Sequence, residues 1–144
     1  MPYIENVHRI NGVGNTLVLN GVAQVSPHPA SVPFYCRRDF WSSSLDPATD
    51  NYERAVDVPS LDLGTLLDAH QPSVLIMDIE GGELALLSIQ DLRHVHTIVL
   101  EVHRDTYGEK GLEQLFASAR RLGFCKDPQG TLREVHTLVR SPTV

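Results

Sequence analysis

The chain has 144 residues, the usual size of one domain, and 42% of them are hydrophobic, enough to bury a core. Its formal net charge is −6 and its basic residues are scattered, which leaves no basic face for nucleic acid. Cys36 and Cys125 fit neither a disulfide framework nor a zinc spacing. The opening MPYIENVHRI does not resemble a secretory signal, and no apolar run reaches membrane-spanning length. We expect one cytoplasmic domain over residues 1–144.

The first half of the sequence predicts a short helix, two strands and a long loop. Apolar residues at helical spacing between residues 4 and 10 predict the helix, which ends at the glycines that follow. TLVLNGVAQV predicts a strand interrupted at its Asn-Gly pair, and VPFYCRR predicts a second, exposed strand. The serine-rich, acidic stretch over residues 39–53 predicts a surface loop.

The second half of the sequence alternates apolar runs with helical patterns. Ser60 is predicted to cap a helix that ends at Pro72. VLIMDI and TIVLEVH are typical of buried strands, with a helix between them that leads to His94, and this order predicts a parallel crossover. A helix over residues 112–122 and a hairpin around Gln129 and Gly130 follow. The pattern indicates an α/β fold with a mainly parallel sheet and a C-terminal antiparallel hairpin.

Polar residues follow both apolar strands at the point where each strand ends. Asp78 and Glu80 follow VLIM, and Glu101 and His103 follow TIVL. Residues two apart in a strand face the same side, and open α/β sheets bind ligands at the carboxyl ends of their strands. The two glycines after Glu80 allow a tight turn whose amides can face a polar ligand. The four side chains are therefore predicted to converge on a ligand.

Ordinary structural roles are the alternative for the same residues. Asp78 could cap the following helix, and Glu101 could pair with Arg104 or Lys110 at the surface. His103 alone would more often be a packed or solvent-facing histidine than a base. Two acidic pairs on neighbouring strands favour a binding site over these separate roles.

Several segments resemble the later half of the FkbM-type methyltransferases, which transfer a methyl group from S-adenosylmethionine, usually to a hydroxyl oxygen. VDVPSLDLGTLLD, VLIMDIEGGELALL and HTIVLEVHRDTYG occur in the family's order, and the D-x-E-G-x-E run from Asp78 to Glu83 is the most specific part. NGVA, Asn20 to Ala23, and SSL, Ser43 to Leu45, are also similar to that family. The resemblance implies an incomplete Rossmann-like class I methyltransferase fold.

The resemblance implies a catalytic role for each acidic or imidazole group. Methyl transfer requires alignment of the sulfonium with the acceptor oxygen and a group that takes the hydroxyl proton. Asp78 or His103 would be that base. Glu80 and Glu101 would orient the acceptor, or favour the positive sulfonium through their charge.

The resemblance also implies binding contacts upstream of these groups. Ala23 and Asp78 would contact S-adenosylmethionine. Ser43 and Ser44 would close over the acceptor, a small molecule or sugar that carries a hydroxyl. Without the resemblance, these serines would be ordinary loop residues and Trp41 a local anchor for the loop.

Two departures from the family pattern affect these expectations. A lysine is common two places before the aspartate of D-x-E-G, and Ile76 occupies that position here. A class I methyltransferase also begins with a strand, a glycine-rich turn, a helix and a second strand, and these have no counterpart after Met1. The GVG of Gly12 to Gly14 is interpreted as a helix stop. We therefore expect weak or no binding of S-adenosylmethionine by the isolated chain.

The implied fold leaves one strand without a neighbour. The first strand of such a fold lies between the strands of TLVLNGVA and VLIMDI, so one flank of VLIMDI would present unpaired backbone groups. Three interpretations fit such an edge: the chain is a fragment of a longer enzyme, it is a subunit completed by another chain or by self-association, or the early strand takes the vacant place in a rearranged sheet. The second interpretation is accordingly a non-catalytic remnant of the fold that acts as a binding or assembly module.

A metal-assisted enzyme is the third interpretation. Asp78, Glu80, Glu101 and His103 carry groups that are plausible ligands for a hard divalent cation. We rank this interpretation after the other two and assign no metal ligand from the sequence.

Overall fold

The computed structural model describes residues 2–39, 42–47, 52–89 and 91–141, so Trp41 lies outside the described residues. Its helices are α1 (Pro2–Ile10), α2 (Leu63–His70), α3 (Glu83–Leu86) and α4 (Arg104–Arg121). Its strands are β1 (Val22–Gln24), β2 (Ser31–Cys36), β3 (Arg54–Asp62), β4 (Val74–Met77), β5 (Thr97–Glu101), β6 (Phe124–Lys126) and β7 (Val135–Arg140). The described chain is a mixed α/β structure with two small sheets.

The first sheet has the strand order β1-β3-β2. Strand β1 is parallel to β3, and β2 is antiparallel to it. The predicted strand TLVLNGVAQV is reduced to Val22–Gln24. Gly21 precedes it because the two strands meet closely there: a Cβ at this position would lie 2.5 Å from Cγ of Leu61. The two predicted strands of this region are therefore present, the first of them shortened.

The second sheet has the strand order β4-β5-β7-β6. The parallel crossover from β4 to β5 is confirmed, and so is the C-terminal antiparallel pair of β6 and β7. A wide loop over residues 127–134 joins that pair in place of a tight turn at Gln129. The predicted α/β class is confirmed. A mainly parallel, Rossmann-like sheet is not confirmed, because the pairs β2–β3, β5–β7 and β6–β7 are all antiparallel.

The hydrophobic core lies on one face of the second sheet, beneath α3 and α4. Strand β5 alternates, with Ile98 and Leu100 fully buried and Thr97, Val99 and Glu101 half-buried. Helix α4 contributes Leu115 and Ala119 from one face, as its helical spacing predicts. Further core residues are Leu63, Leu67, Met77, Leu86, Leu87, Ile89, Leu92, Val95, Val102, Phe116, Leu122, Phe124 and Leu138.

Three predicted details of the helices are wrong. Strand β3 continues through Ser60, so the cap of α2 is Asp62, whose carboxylate accepts a hydrogen bond from the Thr65 amide at 2.7 Å. Helix α3 has only four residues and does not lead to His94. Helix α4 begins at Arg104, earlier than predicted, and is broken at Gly108. The early start matters for function because it places the first turn of α4 beside the predicted site.

Apolar side chains remain exposed on the second sheet and on α1. The run VLIMDI is not a strand buried on both faces, because Ile76 is 74% exposed and Val74 is also exposed. Strand β4 lies at an edge of its sheet, as expected. Helix α1 is present as predicted, but its apolar residues Ile4, Val7 and Ile10 are exposed. None of the helices in the described ranges is long and apolar enough to cross a membrane.

Candidate active site

A cavity of about 730 Å³ lies between the two sheets, on the side where β1 and β4 are both edge strands. This volume falls within the range of small-molecule binding pockets. Its lining combines apolar side chains with hydroxyl and carboxylate groups. The lining residues are Gly21, Val22, Ala23, Gln24, Val25, Phe34, Ser43, Ser44, Leu45, Asp78, Ile79, Glu80, Gly82, Ala85, Leu86 and Ser88.

Five of the seven predicted site residues line this one cavity. They come from three separate parts of the chain: Ala23 from β1, Ser43 and Ser44 from the loop after β2, and Asp78 and Glu80 from the end of β4. The chain folds so that segments more than fifty positions apart in the sequence meet around one space. A binding site requires that such residues lie close together, as these do. The role of each residue stays a prediction.

His103 lies behind the two cavity carboxylates and faces both of them. Its Nε2 is 3.5 Å from Oδ1 of Asp78, and its Nδ1 is 3.5 Å from Oε2 of Glu80. The imidazole side chain is 16% exposed, whereas that of Asp78 is 62% exposed. Asp78 is therefore the more accessible of the two groups, and His103 lies on its buried side.

Glu101 lies apart from this group. It ends β5 and pairs with Val135 of β7, and its side chain lies on the half-exposed side of the strand. His103 is beyond the strand, as the residue before α4, so the two do not continue one alternating strand. Asp78, Glu80 and His103 converge in the described structure. Glu101 does not belong to this cluster.

Glu83 is a member of the cluster that the sequence reasoning did not select. Its side chain is 0% exposed, and its Oε1 accepts a hydrogen bond from the Ile79 amide and lies 3.7 Å from Nε2 of His103. It is the last acid of the D-x-E-G-x-E run, which is the only sequence signal that could have identified it. Burial of a glutamate at this position depends on the turn into α3, which the sequence pattern does not specify.

A strained turn holds these carboxylates. Glu80 has φ of 54°, in the left-handed region that a non-glycine residue seldom adopts, and Gly81 has φ of 99°. A Cβ on Gly81 would lie 2.5 Å from Cγ2 of Thr106, in the first turn of α4. The glycine therefore allows the turn and α4 to approach each other, which brings His103 up to the carboxylates.

Tyr107 adds a hydroxyl to the buried side of the cluster. Its phenolic oxygen accepts a hydrogen bond from the His103 amide at 2.9 Å. Burial raises the pKa of Tyr107 above its ordinary value of 10.0, and the negative charges of Glu83 and Glu134 raise it further. The phenol thus stays neutral at physiological pH and fixes the backbone of His103.

The serine loop is attached to the first sheet through Arg37. The Arg37 amide donates to Oγ of Ser43 at 3.0 Å, and its Nη1 donates to Oγ of Ser44 at 3.0 Å. The Tyr35 amide donates to the Ser44 carbonyl, which fixes the loop backbone. Oγ of Ser44 also accepts a hydrogen bond from the Asp46 amide at 3.3 Å. Both serine hydroxyls act as acceptors in these bonds, so each keeps its own hydrogen to donate.

A second, smaller cavity of about 280 Å³ lies near the start of α2. Its carboxylate Asp62 accepts hydrogen bonds from Oγ of Ser26 at 2.6 Å and from the amide and hydroxyl of Thr65. These bonds, led by that of Ser26, and the nearby His28 lower the pKa of Asp62 from 3.8 to about 2. Asp62 is committed to capping the helix, so we assign this cavity no catalytic function.

The fold and the site together define a mixed α/β protein with a cavity lined by two carboxylates at the carboxyl end of β4. Residues 8–127 match the family described as the methyltransferase FkbM domain, which is most of the chain. The chain therefore belongs to the FkbM methyltransferase family, as its motifs predicted. Comparison with curated proteins and with solved structures gave no match.

Proposed function

We propose that the chain is an S-adenosylmethionine-dependent O-methyltransferase domain whose acceptor is a hydroxyl of a small molecule or sugar. Family membership supports methyl transfer. The single observation that carries the proposal further is the cavity between the sheets, because it gathers five residues selected from the sequence alone.

The cavity suits a cationic methyl donor in volume and in charge. Asp78 and Glu80 place negative charge at its edge, which favours a positive sulfonium. Phe34, Leu45 and Ile79 supply apolar lining for an adenine ring. The backbone from Gly21 to Gln24 would border the donor, with Ala23 leaving room for it. S-adenosylmethionine supplies an electrophilic methyl group when it is bound.

The residues of the chain would contribute mainly by positioning the acceptor. Asp78 is the exposed carboxylate of the cluster, so it would accept the hydroxyl proton as the acceptor oxygen is methylated. His103 would orient Asp78 from behind, as a positioning residue. Glu80 and the hydroxyls of Ser43 and Ser44 would hold the acceptor in line, and such alignment is the largest effect expected in methyl transfer.

The test measures release of S-adenosylhomocysteine from S-adenosylmethionine in the presence of pooled sugars and other hydroxyl compounds. The donor is supplied at millimolar concentration because weak binding is expected from the isolated chain. We expect turnover by the wild type and a loss of about 100-fold or more in Asp78→Asn, since general bases contribute on this scale. Glu109→Gln, which removes an exposed carboxylate paired with Arg104 outside the cavity, serves as the matched control. Equal rates for Asp78→Asn and the control would contradict the assignment of the base.

A second candidate is an assembly module that retains the fold without catalysis. The observation that favours it is the pair of uncovered apolar surfaces, one at the β4 edge and one on α1. We infer that the partner is a second copy of the chain, because each copy carries both surfaces and two copies could cover them reciprocally. Absence of turnover together with a stable dimer in a mass measurement would favour this candidate.

A further inference from the structure

Negative charge exceeds positive charge in the cluster around His103. Asp78, Glu80 and Glu83 all lie within ion-pair distance of its imidazole. In the described parts of the chain, no other ion-pair partner faces these three carboxylates, so one imidazole is set against three negative groups. An additional cation would correct this excess.

Two buried atoms in the cluster have no hydrogen-bond partner among the described residues. They are Oε2 of Glu83 and Nε2 of His103. Glu83 is fully buried, and a buried carboxylate is stable only when it is paired, hydrogen-bonded or bound to a metal. The two side chains face each other, with Nε2 of His103 3.7 Å from Oε1, the other carboxylate oxygen of Glu83. They point to a ligand placed between the side chains.

The spacing of the cluster is close to that of a coordinated ion. Nε2 of His103 lies 3.5 Å from Oδ1 of Asp78 and 3.7 Å from Oε1 of Glu83. Glu80 lies close to the same group, since one donor atom each from Asp78, Glu80 and His103 are within 4.8 Å of one another. An ion with bonds of about 2.1 Å holds its ligand atoms about 3 to 4 Å apart, so small side-chain rotations would be sufficient. Carboxylates suit Mg²⁺ and Mn²⁺, and imidazole suits the later transition metals, so a mixed set favours Mn²⁺ over Mg²⁺.

We propose that this cluster is a binding site for one divalent cation of the Mn²⁺ type. Nε2 of His103, Asp78 and Glu83 are the ligands. Glu80 faces Nδ1 from 3.5 Å and accepts its hydrogen, which leaves the lone pair of the ring on Nε2 for the ion. Water fills the remaining positions on the exposed side of Asp78.

Such an ion would lie at the edge of the cavity between the sheets. There it would hold the acceptor oxygen and make its hydroxyl more acidic. This use of the ion rests on the proposed methyl transfer, whereas binding of the ion does not. The two therefore fail separately in experiments.

The test titrates Mn²⁺ into the full chain, without S-adenosylmethionine, and follows the loss of the electron paramagnetic resonance signal of free Mn²⁺. We expect one bound ion per chain. Glu80→Gln removes the partner of Nδ1 and should weaken binding about tenfold, and His103→Gln and Glu83→Gln, which remove ligands, should weaken it more. Asp78→Asn changes an exposed ligand that the fold does not require, so it tests the site even where Glu83→Gln impairs folding.

Glu101→Gln is the matched control, because it removes a neighbouring carboxylate that lies outside the cluster. It should leave Mn²⁺ binding unchanged. No bound Mn²⁺ at millimolar concentration, or equal binding by the wild type and by Asp78→Asn and His103→Gln, would overturn the proposal.

Discussion

The conformation of single residues determines whether the acidic groups can meet His103. The spacing of Asp78 and Glu80 at the end of an apolar strand was sufficient to predict that both face one cavity. Glu83 was not predicted, because a glutamate in a helix is ordinarily a surface residue and only the tight turn before α3 buries it. Glu101 has a similar sequence setting to Asp78 but still lies within its strand, so its place could not be inferred from alternation alone.

Gly81 is the residue whose replacement should disturb the site most directly. Gly81→Ala would force a side chain into a left-handed backbone conformation and against Thr106. We expect a loss of about 2 kcal/mol in the free energy of unfolding, measured by urea denaturation, together with weaker Mn²⁺ binding. Gly14→Ala is the control, since a Cβ there meets no atom within 4 Å. Equal stability of the two variants would show that α4 does not need this close approach.

Most secondary-structure elements were predicted in type, with errors at their ends, but the nine-residue strand β3, central in the first sheet, was not predicted. The parallel β4–β5 crossover, the C-terminal strand pair and α1 follow from periodicity, because their apolar spacing has no competing explanation. The start of α2 was misplaced at Ser60. Both Ser60 and Asp62 are good caps, and only the pairing of β3 with β1 through Asp62 decides between them.

The cap of α2 gives this element a pH-dependent contribution to stability. The pKa of Asp62 is lowered from 3.8 to about 2, so the folded state favours the ionised carboxylate. Its stabilising contribution is therefore present above about pH 4 and is lost as the pH falls towards the folded-state pKa of Asp62. Asp62→Asn keeps a capping side chain but removes the charge.

Urea denaturation of the wild type and Asp62→Asn should reveal this contribution. We expect the wild type to be more stable at pH 5 and the difference to disappear at the lowest pH at which the chain stays folded. Asp68→Asn, an exposed position on the same helix, should differ little from the wild type at either pH. A difference between wild type and Asp62→Asn that does not change with pH would contradict the assigned cause.

At the scale of the whole molecule, sequence reasoning anticipated an uncovered strand but not the amount of apolar surface that accompanies it. The edge position of β4 follows from the family's strand order. Exposure of one whole face of β4, and of the apolar side of α1, depends on which elements pack there, and no local pattern carries that information. Such surfaces on a folded chain indicate contact with another surface.

Ile76 provides the test of that contact, because it is 74% exposed on β4. The family commonly has a lysine at this position, and a lysine on an edge strand opposes pairing between chains. We expect the wild type to show a concentration-dependent rise towards dimer mass in light scattering and Ile76→Lys to remain monomeric. The free energy of unfolding of the two should be equal at concentrations where the wild type is also monomeric, because association itself stabilises the folded state. Leu132→Lys is the matched control, because Leu132 is also 74% exposed. Leu132 lies in the loop between β6 and β7 and not on β4, so its replacement should leave the dimer intact. A wild type that is monomeric at every concentration would exclude reciprocal covering by a second copy. If both variants lose the dimer, association depends on general surface hydrophobicity and not on the β4 edge.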